Sequence, residues 1–105
     1  MEVFKDLLLD LDDVEDVQRI ELFYEDGEPA GVIINRPGSA GSVKVFHHLY
    51  KTFGSISIDA AVEGLSLYAE HTADAEDHPG KHPNIDRLFD VIEDQEPLTV
   101  KVISV

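Results

Sequence analysis

Two hydrophobic periods alternate along this chain, and the changes between them mark its elements. Phe4, Leu7, Leu8 and Leu11 recur at helical spacing and predict a short helix over 3–11. The acidic run Asp10–Asp16 breaks that pattern. From Val17 to Glu25 the period becomes two, which predicts a strand with Ile20, Leu22 and Tyr24 on one face and Arg19, Glu21 and Phe23 on the other. Asp26-Gly27 is a turn signal, and a second strand is expected over Ala30–Asn35. The connection is short enough for an antiparallel hairpin. The unbroken apolar run Val32-Ile33-Ile34 predicts that this strand lies centrally or is covered on both faces.

Arg36-Pro37-Gly38-Ser39 ends the strand, because proline lacks a donor and disfavours helix at the residue before it. A second helix follows, from about Ala40 or Val43 to Phe53. Ser39 or Ser42 is its expected cap, Val43, Phe46, Tyr50 and Phe53 its stripe, and Gly54 its stop. Val43-Lys44-Val45 also fits a short strand. A third helix begins near Ser57 or Asp59 and runs toward Asp77, with Ala61, Leu65, Tyr68, Thr72 and Ala75 along one side and Gly64 weakening it. Pro79-Gly80 ends it. Asn84 is the expected cap of a fourth helix with a stripe of Ile85, Leu88, Phe89 and Ile92, and Pro97 closes the acidic run that follows. Leu98–Ile103 alternates as a last strand. The order α-β-β-α-α-α-β predicts an α+β fold, a small, mainly antiparallel sheet of about three strands with helices packed on it, in a single acidic domain over residues 1–105.

Charge is segregated along this order. Residues 1–28 carry −9, residues 59–97 carry −9, and Lys101 adds one positive charge. Between them, from Pro29 to Ile58, there is no Asp or Glu, while Arg36, Lys44 and Lys51 give +3; the whole chain is at −14. Such a surface repels nucleic-acid backbones and anionic membranes, and its acidity serves solubility or docks a basic protein partner. Cysteine is absent, which excludes disulfides and thiol chemistry. Glu2, Asp6 and Asp10 do not suit a targeting peptide, and no apolar run reaches the roughly 20 residues of a membrane span, so a cytoplasmic location is expected.

Candidate chemistry falls in two places. The turn Arg36, Gly38, Ser39, Gly41, Ser42 and Lys44 sets small residues and two cations at a helix start, where backbone N–H groups and the helix dipole favour a phosphate or carboxylate. It matches neither the P-loop nor the dinucleotide glycine pattern, and an ordinary strand-to-helix connection explains it as well. The second place is His71, Asp74, His78 and His82. Positions i, i+3 and i+7 share a helix face, and imidazoles with a carboxylate suit Zn²⁺ or a similar divalent metal. Solvated histidines near a helix C-terminus are the plain alternative. His47 lies beside the apolar stripe of the second helix and is expected to be a partly buried structural residue. Ser39 or Ser42 with His47 or His48 lacks the strained-turn motif of a nucleophile.

The segments Arg36-Pro37-Gly38-Ser39, His48-Leu49-Tyr50, Leu67–Thr72 and, most specifically, Gly80-Lys81-His82-Pro83-Asn84-Ile85-Asp86-Arg87-Leu88 come in an order and at a length that resemble a family of small uncharacterised bacterial proteins, a domain of unknown function. The resemblance covers nearly the whole chain. It implies a bacterial source and a stand-alone domain, and no reaction. The expectation for function is therefore a non-catalytic binding or protein-interaction module. The alternative is a metal- or anion-binding protein, even a small hydrolase, which requires the Gly38–Lys44 turn to approach His71–His82. Pairing of two copies through an exposed last strand is a further expectation.

Overall fold

The computed structural model describes residues 3–105. Among them are α1 (Phe4–Leu8), β1 (Val17–Phe23), β2 (Pro29–Ile34), α2 (Ala40–Phe53), α3 (Ile58–Tyr68), α4 (Glu70–Asp77), α5 (Pro83–Asp94) and β3 (Thr99–Ser104). The expected order is present, with the third helix divided in two. The sheet is antiparallel throughout, in the order β2-β1-β3. The hairpin forms at Asp26-Gly27 as its chemistry requires: Gly27 takes φ 93°, and Glu28 N–H donates to Asp26 Oδ1 at 2.9 Å.

Register decides which side chains meet. Ile20 stands opposite Ile33 and Val102, and Leu22 opposite Gly31 and Val100, so these residues share the face that the helices cover. Ile20 and Leu22 are fully buried and pack in one cluster with Val43, Phe46 and Leu49 of α2, Ala60 and Ala61 of α3, and Ile85, Leu88 and Val91 of α5. Each large side chain buried this way contributes about 1.5–3 kcal/mol. The opposite face carries Arg19, Glu21, Val32, Ile34 and Lys101, with Arg19 Nε bonded to Glu21 Oε2 at 2.8 Å.

β2 is not central. It is an edge strand covered on one face only, with Val32 52% and Ile34 44% exposed. A run of three apolar residues reads alike in a central strand and in an edge strand whose outer face is apolar. The α2 stripe is also turned: Val43, Val45, Phe46 and Leu49 are buried, whereas Tyr50 and Phe53 are exposed. The C-terminal turn of α2 leads into the α3 connection, at the rim of the core. On α5, Val91 is buried beside Ile85 and Leu88, while Phe89 and Ile92 are only partly covered.

The division of the third helix falls at Ala69, which adopts φ 53° and ψ −119°. The glycine of this segment, Gly64, stays inside α3. A Cβ there would lie 2.7 Å from Leu88 Cδ1 and 3.0 Å from Leu49 Cδ1, so its role is close approach of α3 to α5 and α2. Glycine in β2 does similar work. The Arg87 guanidinium lies against Gly31, within 2.3 Å of where a Cβ would stand, and Arg87 Nη1 donates to Ala30 O at 2.8 Å. The arginine of the Gly80–Leu88 segment thus fastens α5 to the edge strand. No helix among the described residues is long and apolar enough to cross a membrane.

Candidate functional site

The break at Ala69 swings α4 back toward the start of α2. There, a cleft of about 440 Å³ opens between α1, the α2 N-terminus, α4 and the loop before α5. Gly38, Ala40, Gly41 and Ser42 line one side. His71, Lys81 and His82 line the other, and Phe4, Leu8, Tyr68 and Ile85 complete the wall. The two regions picked out by chemistry in the sequence are therefore neighbours. No Asp or Glu is among the lining residues.

The α2 N-terminus is built to leave its donors open. Ser39 occupies the cap position, but its hydroxyl donates to Ile34 O and Arg36 O instead of accepting from the helix. Ser42 does not cap either; its Oγ accepts a 2.7 Å hydrogen bond from Tyr68 Oη–H. The N–H groups of Gly41 and Ser42 find no partner among the described residues, as expected for the first turn of an uncapped helix. Gly38 is required at φ 96° to turn the chain into α2. Gly41 sits under α1, where a Cβ would press to 3.3 Å on Leu8 and Phe4. Burial pushes the Tyr68 hydroxyl well above its ordinary pKa, so it remains a proton donor to Ser42.

Across the cleft, Asp74 organises the basic side chains. Its Oδ2 receives His82 Nε2 at 2.7 Å and Lys81 Nζ at 3.0 Å, and its Oδ1 faces His78 Nδ1 at 3.2 Å. The hydrogen bond from His82, then that from Lys81, holds the Asp74 carboxyl well below the usual carboxylate range. The bond also assigns the ring: His82 Nε2 carries a proton. Lys81 and His82 both line the cleft, and Asp74 joins them.

The four residues expected as metal ligands do not converge, and an ammonium lies 3.0 Å from Asp74 Oδ2. His71 does not join the carboxylate; its ring lies 5.5 Å from that of His82 and edge-on to Phe4 at 5.2 Å. His78 points outward, with its side chain 63% exposed. Among the described residues, no group of three or more His, Asp or Glu is placed to hold a metal ion.

Of the residues expected at the turn, Gly38, Gly41 and Ser42 line the cleft, and Arg36, Ser39 and Lys44 do not. Arg36 is exposed outside it. Lys44 Nζ donates to Leu8 O at 2.9 Å and so ties α1 to α2. Lys81, singled out in the sequence only as part of the Gly80–Leu88 segment, lines the cleft beside His82. Asn84 lies inside the first turn of α5, whose cap is His82 with Pro83 as the first helical residue; Asp86 reaches back to accept from Gly80 N–H at 2.9 Å. His47 is half-buried as expected. Burial, then the nearby Lys51, lowers its pKa, and its Nδ1 has no hydrogen-bond partner.

A second cleft, of about 300 Å³, runs between Tyr24 and α5 and is lined by Asp86, Asp90, Asp94 and Glu96 with Arg87. These four carboxylates outnumber the one guanidinium, so the rim is acidic.

Comparison with known proteins gives one family. The family model described as an uncharacterized protein conserved in bacteria (DUF2322) matches residues 4–102. No curated protein and no solved structure matches the chain.

Proposed function

Because the chain belongs to this family of bacterial proteins, described only as uncharacterized, we propose from the site itself that it is a non-catalytic binding domain of the cytoplasm, with a small anionic group held in the cleft between α2 and the His71–His82 segment. The supporting observation is one of charge. In a chain with 22 acidic residues, the lining of this cleft contains none and contains His71, Lys81 and His82. The N–H groups of Gly41 and Ser42 add uncommitted donors and the positive end of the α2 dipole. Lys81 and the two N–H groups are donors suited to holding negative charge. Ser42 Oγ is occupied as an acceptor from Tyr68, and His82 Nε2 is occupied by Asp74, an arrangement that orients groups for binding.

Titration with inorganic phosphate, followed through backbone amide shifts, tests this reading. Gly41 and Ser42 are expected to move together and saturably at millimolar phosphate. Lys81→Ala is expected to weaken binding about fivefold, the scale of one partly exposed hydrogen bond to a charged group. Arg36→Ala, outside the cleft, is expected to leave it unchanged. Fixed Gly41 and Ser42 amides, or equal weakening by both variants, would rule out a defined site.

A further inference from the structure

The cleft is much larger than an inorganic anion needs, and one of its walls is made of rings. Tyr68 stacks on Phe4 at 5.2 Å and 21°; His71 stands edge-on to Phe4 at 5.2 Å and 84°; His82 follows at 5.5 Å and 47°. All four line the cleft. Phe4, His71 and His82 are half-buried, while Tyr68 is buried at the floor. Leu8 and Ile85 extend this wall. The donors of the same cleft are the N–H groups of Gly41 and Ser42 on the α2 side and Lys81 across from them.

We propose that the ligand is an aromatic anion: a single flat ring lying along the Phe4–His71 wall, with a phosphate or carboxylate directed at the N–H groups of Gly41 and Ser42. This rests on the anion reading above and adds the body of the ligand to its charged head. A bare phosphate would satisfy only the donors and leave the exposed faces of the rings in water. A ring on that wall removes its apolar surface from water and gains aromatic contact beyond the area buried. A volume of about 440 Å³ lies within the usual range for small-molecule sites, roughly 300–1,000 Å³. No acid lines the cleft, and the nearby Asp74 carboxylate is paired with Lys81 and His82, which lessens repulsion of the anionic head in this −14 chain.

Two matched pairs of probes, with phenol as the uncharged control, test the proposal on the full chain by NMR: inorganic phosphate against phenyl phosphate, and acetate against benzoate. The ring-bearing member of at least one pair is expected to bind about tenfold more tightly, a gain reasonable for one buried and stacked ring. It is expected to shift the ring protons of Phe4 and His71 together with the amides of Gly41 and Ser42. In Phe4→Leu, which keeps apolar bulk and removes the ring, most of this gain disappears while inorganic phosphate still binds. Equal affinity within both pairs overturns the aromatic body and leaves the anion site standing. Phenol binding at Phe4, with no anion moving Gly41 or Ser42, overturns the anion reading and this proposal with it. Absence of binding by every probe overturns both. The wild-type comparison decides the matter even if Phe4→Leu loosens α1.

Discussion

Asp74 is a half-exposed carboxylate with three basic neighbours, His78, Lys81 and His82, and its role at the cleft is to position two of them. The same contacts give it a measurable signature. Its pKa in the folded chain is held below the ordinary value, first by the hydrogen bond from His82 and then by that from Lys81. In the unfolded chain an aspartate titrates near about 3.9. The folded state therefore binds fewer protons than the unfolded state once the pH drops toward that value. The stability that Asp74 contributes is whole above it and is lost progressively as the pH falls below about 4. The unfolding midpoint in urea of wild type and Asp74→Asn, compared between about pH 5 and pH 3, reads this directly. The advantage of wild type over the variant is expected to narrow steadily below about pH 4. A gap that stays constant down to pH 3 would mean that the hydrogen bonds to Asp74 do not form in solution.

At the scale of elements, the residues at positions 64 and 69 invert the usual local rules. Glycine sits inside α3, where it disfavours the helix, and alanine takes the positive φ at the break, where glycine is at ease. Packing explains the first. Gly64→Ala gains about 1 kcal/mol of helix propensity, but its Cβ must displace Leu88 and Leu49, and overpacking a well-filled core costs about 1–3 kcal/mol. A net loss is expected. Ala69→Gly is expected to stabilise by about 1 kcal/mol through relief of the strained backbone. Thermal melts of the two variants check both signs, and a stabilising Gly64→Ala would mean that α3 and α5 are less closely packed than described here. These two positions also mark how far the sequence was legible. The strands, the Asp26-Gly27 hairpin and the helices announced themselves through period and turn chemistry, since local geometry alone imposes those patterns. The edge position of β2 did not, because Val32 and Ile34 are apolar whether or not a neighbour covers them. The break at Ala69 gave no signal, since alanine there continues the helical stripe. The acid-free stretch 29–58 and the histidines could each be seen separately in the sequence. Their meeting in one cleft could not, because it depends on the direction α4 takes after Ala69.

For the whole molecule, charge sets a tension between stability and binding. A net charge of −14 is held within a body whose radius of gyration is 12.7 Å. At low ionic strength the screening length exceeds these dimensions, reaching roughly 30 Å at 0.01 M, so every carboxylate feels most of the others. At about 0.1 M it falls to roughly 10 Å, and repulsion across the molecule is largely removed. Added sodium chloride is therefore expected to stabilise the fold. Relief of about 1 kcal/mol of self-repulsion corresponds to a rise of about 4–8 °C in melting temperature for a chain of this size. The anion site we propose is expected to respond in the opposite sense, because attraction from Lys81 and the α2 N-terminus is screened as salt rises. Melting temperature and phosphate affinity measured over the same salt series should move in opposite directions. A melting temperature that falls with salt would mean that local ion pairs such as Lys81–Asp74 and Arg19–Glu21 outweigh the long-range repulsion. The acid-free lining would then be a feature of the cleft alone, with no counterpart in how the charge of the whole chain is balanced.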